Sequence, residues 1–380
     1  MFGSELNVVD MALTLLLTML FIGLIIKYSC KIGMLDIPND RSSHVAPTPR
    51  GAGVAMFLSY MLVLMFFHSG FMLEYIGFFI ALILIFAIGV YDDNNGVSPK
   101  IKLLVIIIAS LILFFINDFK IDTLGTWFGI EINLHWIIAL VLTIFAVVGF
   151  TNALNLLDGL DGLAGSVALV IFVSFAYIGY IYNDTFIATI SLLMIFAILG
   201  FLHFNWSPAT IFMGDSGSLV FGFTIAVVAI KAIDYVSVTS ILLLTALPII
   251  DTLVVMTRRL QRGLSAFNPD KTHIHHKMLT WRGSVDHSVM ILVVIQVVFS
   301  FIGILFREQG EISSLFLFLM LLYLFFNFLD ERKLVRDRIL LTKMKKSITL
   351  LIKEKLTHKR AIIISIAFIL LLIVVRIFLF

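Results

Sequence analysis

The sequence predicts an all-α, polytopic integral membrane protein of about 11–12 transmembrane helices, with its functional loops on the cytoplasmic side. Three observations carry that expectation. Hydrophobic residues make up 61% of the 380-residue chain and charged residues only 13%, with a mean hydropathy of +1.09. Soluble domains hold roughly 45–50% and about 25%. The apolar residues gather into runs of about 17–25, the length that crosses a ~30 Å hydrocarbon core as a helix. The alternating strands of ~10 residues that mark an outer-membrane barrel are missing, and the 36 phenylalanines suit lipid-facing helices.

In order, the runs fall at roughly 8–28, 51–69, 74–91, 101–117, 134–151, 163–182, 185–204, 214–231, 236–257, 288–306, 312–330 and 361–380. The first is not read as a signal peptide, because Glu5 and Asp10 precede or open it and no basic n-region or small-residue cleavage site accompanies it. Residues 117–135 are mildly amphipathic and long enough for a small hairpin. Residues 1–330 are expected to form one transmembrane domain of about eleven helices. Residues 331–360 form a basic cytoplasmic segment with interleaved leucines and isoleucines, either an amphipathic helix on an anionic leaflet or a solvated linker. Residues 361–380 are the extra span. The single cysteine, Cys30, excludes an intramolecular disulfide.

Charge placement sets the expected orientation. All but four of the 27 Lys and Arg residues lie in the connections that follow odd-numbered runs or at the run ends bordering them; the exceptions are Lys120, Lys231, Arg307 and Arg376. The positive-inside rule puts those connections in the cytoplasm and the N-terminus outside. The same parity collects every polar, motif-like stretch on one face: 36–53, 91–102, 151–163, 204–218 and 258–281.

Residues 152–163 read NALNLLDGLDGL. Asn152, Asn155, Asp158 and Asp161 recur every three positions, which on a helix makes one polar stripe drifting about 60° per step. Gly159 and Gly162 loosen the backbone for close approach to a ligand, although an ordinary glycine-capped helix end has the same look. Asp92 and Asp93 follow the run ending in Tyr91, with Lys100 and Lys102 beyond. Neighbouring helical positions point about 100° apart, so one carboxylate can hold a metal while the other faces a second ligand. A solvated loop at the membrane boundary is the plainer reading of that pair. Asp215 stands between Gly214 and Gly217 beside Ser216 and Ser218, which suits a phosphate and a metal at backbone N–H groups, or a simple helix cap.

Asp251 sits inside the ninth run, roughly 9 Å from its end, and an ionisable residue there is a functional candidate. Arg258, on a similar face, is its expected ion partner. His273, His275 and His276 lie downstream of Arg258, Arg259 and Arg262 with no cysteine nearby, so they read as donors to phosphate or sugar rather than as a zinc site. Arg41, His44, Thr48 and Arg50 combine anion donors with a proline-stiffened backbone. Six aspartates on one face repel one another unless a cation neutralises them. Mg²⁺, or Mn²⁺ in its place, held by carboxylates and substrate phosphates meets that need and supplies a Lewis acid. A site at the lipid boundary suggests one lipid-borne and one soluble anionic substrate, hence metal-dependent phosphoryl transfer.

Taken in order, the motifs resemble the polyprenyl-phosphate N-acetylhexosamine-1-phosphate transferases of glycosyltransferase family 4. They are Pro38-Asn39, Arg41-Ser42-Ser43-His44, Pro47-Thr48-Pro49-Arg50-Gly51, Asp92-Asp93, the 152–163 stretch, the segment from Phe212 through Asp215 to Ser218, and His273-Ile274-His275-His276. The isolated His-Ile-His-His is more similar to the O-antigen and teichoic-acid initiating branch than to the phospho-N-acetylmuramoyl-pentapeptide transferases, which stay as the alternative. The resemblance implies transfer of an N-acetylhexosamine 1-phosphate, GlcNAc-1-phosphate or a related amino sugar, from a UDP-sugar to undecaprenyl phosphate with release of UMP. That is the first membrane step of cell-surface polysaccharide synthesis, in the bacterial cytoplasmic membrane.

The resemblance further implies that Asp92, Asp93, Asp158 and His275 are catalytic, with Asp93 as the base toward the lipid phosphate. Asp92 and Asp215 would hold the metal. Arg41, His44, Thr48, Arg50, Lys100, Asn152, Asn155, Asp161, Asp251, His273 and His276 would surround the substrates. Direct displacement and a covalent aspartyl-phosphate both remain open. The expected partners are a UDP-N-acetylhexosamine, polyprenyl phosphate and membrane lipids, with no nucleic acid; a homodimer is admitted. Two departures stand out: Ala52 replaces a glycine the family usually repeats, and the twelfth run is extra. A secondary transporter is the rival from another class, but it predicts inverted repeats and midplane charges, whereas no repeat is seen and all but Asp251 of the six aspartates lie at the cytoplasmic ends of runs.

Overall fold

The apolar runs have physical starts and stops in the computed structural model, where it describes them: residues 6–36, 47–261, 263 and 273–328. Helix α1 (Val8–Ile32) opens with the Asp10 carboxylate accepting the Asn7 amide and ends at Gly33 in the left-handed region. A short antiparallel ribbon, β1 (Leu35–Asp36) and β2 (Thr48–Pro49), leads to α2 (Ala52–Phe67) and the brief α3 (Ser69–Glu74). Helices α4 (Ile76–Asn95) and α5 (Pro99–Ile116) follow, the second opening on a proline whose missing N–H is harmless at a first helical position. The expected hairpin forms from β3 (Thr123–Trp127) and β4 (Ile130–Asn133), with Trp127 opposite Ile130.

Four long helices come next: α6 (Trp136–Leu157), α7 (Leu163–Ile181), α8 (Thr185–Asn205) and α9 (Asp215–Ala232). The described chain ends through α10 (Val238–Leu244), α11 (Ala246–Gln261), α12 (Ile274–Arg282), α13 (Val285–Leu305) and α14 (Glu311–Phe328). The first eleven apolar runs all fold as helices, so the chain is an all-α, multi-pass membrane protein. Among the described residues eight helices are long and apolar enough to span, or nine if α10 and α11 count as one, while α2 and α14 are shorter apolar helices. Met1–Phe325 and Phe326–Phe380 are separate units, and the helix bundle with its candidate site belongs to the first. The basic segment and the twelfth run expected beyond residue 330 lie outside the described residues.

The ninth run differs from expectation. It is not one straight span: α10 and α11 meet at a bend of 86°. Pro248 explains it, because its ring clashes with the carbonyl four residues earlier and it has no N–H to donate. That carbonyl, on Leu244, instead accepts the Gln296 side-chain amide of α13 at 2.8 Å, and Gln296 Oε1 accepts the Leu247 amide at 3.0 Å. The glutamine thus satisfies backbone groups that lipid would leave bare.

Helix α9 is the centre of the bundle, with 16 of its 18 residues buried. Small residues let neighbours reach its backbone, in the manner of packed membrane helices. A Cβ on Gly53 of α2 would lie 2.1 Å from the Gly217 nitrogen, and one on Gly89 of α4 would lie 2.6 Å from the Ser216 Cα. Two different helices are therefore pressed against the first turn of α9, where Asp215 stands.

Candidate active site

The site begins with how α9 starts. Gly214 has φ +75°, and a Cβ there would fall 2.6 Å from Asp93 Oδ2, so glycine is required both by the backbone and by its neighbour. Asp93 is buried near the end of α4 and accepts the Asp215 amide at 2.8 Å and the Ser216 amide at 3.0 Å. Both its oxygens are thereby committed to orphan N–H groups at the N-terminus of α9, where a negative charge is also favoured by the helix dipole. Arg50 donates to the Asp93 main-chain carbonyl. The Pro49 carbonyl accepts the Phe212 amide at 2.8 Å and the Phe212 carbonyl accepts the Ala52 amide at 3.2 Å, which laces the first motif to the segment before α9. Thr48 is buried in β2 beside this seam.

The neighbouring carboxylate points elsewhere. One helical position turns Asp92 toward α5, where Lys102 Nζ lies 2.8 Å from Asp92 Oδ2 and 2.5 Å from Asp215 Oδ2. Asp92 Oδ1 accepts the Val97 amide at 2.5 Å. From α6, the Asn155 amide donates to Asp215 Oδ1 at 3.2 Å and to Ser218 Oγ at 2.7 Å. The ends of α4, α5, α6 and α9 thus meet at one carboxylate pair bridged by one ammonium.

The expected polar stripe breaks at Leu157. Asn152 keeps its amide on the Val148 carbonyl of its own helix, Asn155 reaches α9, and Asp158 becomes the residue after the helix end. Burial, then the charges of Asp215, Asp93 and Asp161, push the Asp158 carboxyl up to about 7. Asp161 instead accepts the Ala209 amide at 3.0 Å, and Asn205 clamps the same turn by accepting the Gly162 amide and donating to the Ile211 carbonyl, both at 2.8 Å.

The histidines arrive from α12. Asp251, buried in α11, accepts His273 Nδ1–H at 2.9 Å and the Ile274 amide at 2.8 Å, so it caps α12 and fixes the His273 ring. His273 and His275 stack with ring centroids 5.8 Å apart, and His276 lies 4.3 Å from His275. A Cβ on Gly159 would fall 2.2 Å from His275 Nε2, so glycine beside Asp158 is what admits that ring. Burial pulls the His275 imidazole down to about 3, leaving it neutral, and its buried Nδ1 has no hydrogen-bond partner among the described residues.

The structure therefore joins Asp92, Asp93, Asn155, Asp158 and Asp215, seats His275 on the adjoining turn, and ties in Arg50, Asp161, Asp251 and His273 through hydrogen bonds. Lys100 is exposed and is not among the side chains that meet at the carboxylates; Lys102 is the lysine that reaches them. On a helix opening at Pro99 the two lysines are about 200° apart, so only one can face inward. Asp251 takes His273 as its partner where Arg258 was expected. Arg41 and His44 lie outside the described residues. Asn205 is an addition the sequence motifs do not single out, and Lys102 and Ser218, noted beside the aspartates in the sequence without a role, gain one here.

Two carboxylates sharing a cation is what a magnesium site for phosphates uses, since Mg²⁺ is commonly held by one or two carboxylates with water and substrate oxygens. Among the described residues no three acidic, histidine or cysteine side chains form a ready cage. The donor set present fits the open type of site: Asp92 Oδ2 and Asp215 Oδ2 already converge on one positive charge, and Asp158 beside them is crowded by negative ones.

The sequence is similar to those of known proteins. The model of glycosyl transferase family 4 matches residues 75–233, a span that holds Asp92, Asp93, Lys102, Asn155, Asp158 and Asp215. A Bacillus subtilis (strain 168) protein named "Probable undecaprenyl-phosphate N-acetylglucosaminyl 1-phosphate transferase" is 32% identical over 319 residues, covering 81% of this chain and 87% of that protein. Proteins named undecaprenyl-phosphate alpha-N-acetylglucosaminyl 1-phosphate transferase are 29% identical in Salmonella typhi, over 70% of this chain and 74% of that protein, and 27% identical in Escherichia coli (strain K12), over 83% and 88%.

Proposed function

The chain belongs to glycosyl transferase family 4, and from that premise we propose that it transfers N-acetylglucosamine 1-phosphate from UDP-N-acetylglucosamine to undecaprenyl phosphate, releasing UMP. The observation that carries the reading is the Asp92–Asp215 pair, bridged by a cation where four helix ends meet at the edge of an apolar bundle. An oxygen of the lipid phosphate attacks the β-phosphorus of the nucleotide sugar. The bond from that phosphorus to the UMP oxygen breaks, and UMP leaves with the electron pair. Mg²⁺ or Mn²⁺, held by Asp92 and Asp215, would polarise the diphosphate oxygens and neutralise the acidic cluster.

The chain's own residues divide the remaining work. Asp158, on the turn after α6 beside Asp215 and Asp93, is assigned to take the lipid phosphate's proton, a role that Asp93 suits less because both its oxygens hold α9. Asp93 is a positioning residue for Asp215. Asn155 orients Asp215 and Ser218. Neutral His275 offers its buried Nδ1 as a single hydrogen-bonding group to the nucleotide sugar. The distribution of Lys and Arg supports a cytoplasmic active site and an outside N-terminus, and the bacterial relatives support the bacterial inner membrane as its location. The product would begin a cell-surface polysaccharide such as O-antigen or teichoic acid.

The test uses the detergent-solubilised full chain, undecaprenyl phosphate, and UDP-GlcNAc, UDP-GalNAc and UDP-N-acetylmuramoyl-pentapeptide in parallel, with Mg²⁺ or EDTA. UMP and a lipid-diphosphate sugar should form with UDP-GlcNAc and Mg²⁺. No UMP from any donor, with folded protein and lipid present, rejects the activity. UMP formed equally well in EDTA rejects the metal.

A further inference from the structure

Lys102 does more than decorate a carboxylate pair. Of the four carboxylate oxygens on Asp92 and Asp215, Asp92 Oδ1 is held by the Val97 amide and Asp215 Oδ1 by the Asn155 amide. The two Oδ2 atoms are left, and both point at Lys102 Nζ, 2.8 and 2.5 Å away. A divalent ion bound by this pair would take those same two oxygens, the ones no amide holds, at about 2.0–2.1 Å. An ammonium and a divalent cation cannot share that point, because like charges so close repel strongly in a partly desolvated site. Lys102 is 19% exposed on a flexible four-carbon stem, so it has an open direction in which to leave.

We propose that Lys102 and the divalent cation exchange at the Asp92–Asp215 pair: the ammonium guards the two oxygens until the metal displaces it, and its release delivers a mobile positive charge to the anionic substrates. This rests on the metal reading above. Exchange keeps the carboxylates neutralised at every stage and ties the availability of Lys102 to the arrival of the metal. The apparent metal affinity is then lowered by the fraction of molecules in which lysine holds the site.

The test is Mn²⁺ binding to the full chain without substrates, read by the loss of the free-ion paramagnetic resonance signal. Lys102→Met should bind Mn²⁺ about tenfold tighter or more, Lys102→Arg no tighter than wild type, and Lys100→Met, at the exposed neighbouring lysine, no differently. Equal tightening by Lys100→Met, or none by Lys102→Met while Asp215→Asn abolishes binding, overturns the exchange alone. No Asp215-dependent Mn²⁺ binding in any of these proteins overturns the exchange together with the metal reading. A measurement on wild-type protein avoids any folding defect: acetic anhydride labelling of Lys102, read by mass spectrometry, should rise several-fold when Mg²⁺ is added. Labelling of Lys102 that does not change with Mg²⁺ also overturns the proposal.

Discussion

Replacing Asp93 by Asn separates a carboxylate that holds the fold from one that performs chemistry. The wild-type side chain accepts two amides at the first turn of α9, 2.8 and 3.0 Å away, in a buried position. Asparagine keeps one acceptor and turns its NH₂ toward the other N–H. One charge-assisted bond is lost, about 1.5–3 kcal/mol, along with a helix-dipole contribution of roughly 0.3–1 kcal/mol. The sum is about 2–4 kcal/mol. For a chain of this length each kcal/mol moves Tm by about 1.2 °C, so Asp93→Asn should lower it by roughly 2–5 °C. Asp215→Asn is the control, because its carboxylate faces Lys102 and Asn155 rather than backbone amides. It should abolish turnover while leaving Tm within about 1 °C. The assay is thermal unfolding in detergent beside UMP release for both variants. Wild-type Tm in Asp93→Asn with turnover lost by several orders of magnitude would refute the positioning role and return Asp93 to the chemistry.

Two further outcomes rest on the same geometry. Gly159→Ala sets a methyl 2.2 Å from His275 Nε2, so the ring must move, and KM for the nucleotide sugar should rise about tenfold or more with a small change in Tm; an unchanged KM argues that His275 does not meet that substrate. Asp158 has its folded carboxyl raised to about 7 from an ordinary 3.8, so the unfolded chain loses the proton first as pH rises. Its stability penalty therefore grows from about pH 4 to about pH 7 and stays constant above, at up to about 1.4 kcal/mol per unit. In EDTA, Asp158→Asn should raise Tm at pH 8 and leave it unchanged near pH 4, and a gain of equal size at both values contradicts the crowding.

The fold was legible to the extent that it depends on apolar length. Hydropathy located eleven helical runs and parity grouped their polar ends, because lipid demands a fixed run of apolar residues whatever surrounds them. It missed the α10–α11 bend because apolarity carries no direction. The signals present were Pro248 and a lone Gln296 within another apolar run, and only their contact reveals that one breaks the helix and the other repairs it. The site was legible as a set of carboxylates but not as a division of labour. Nothing in the dipeptide Asp92-Asp93 says which member faces α5. Nor does the pair Lys100 and Lys102 say where α5 begins, which decides the inward lysine.

That division of labour explains why the motifs contain so much glycine. Asp215 is useful only if the first turn of α9 is rigid, and that turn is fixed by contacts that exclude even a methyl group: Gly53 against Gly217, Gly89 against Ser216, and Gly214 against Asp93. The Asp93 carboxylate then closes the same turn by taking its two free amides. On the other side Gly159 does for His275 what Gly214 does for Asp93. The short motifs are therefore two interlocked sets, acidic or imidazole groups and the glycines that let another backbone or ring approach them. A substitution at Gly53, Gly89 or Gly214 should disable the site as thoroughly as one at its carboxylates, by displacing groups whose chemistry is intact.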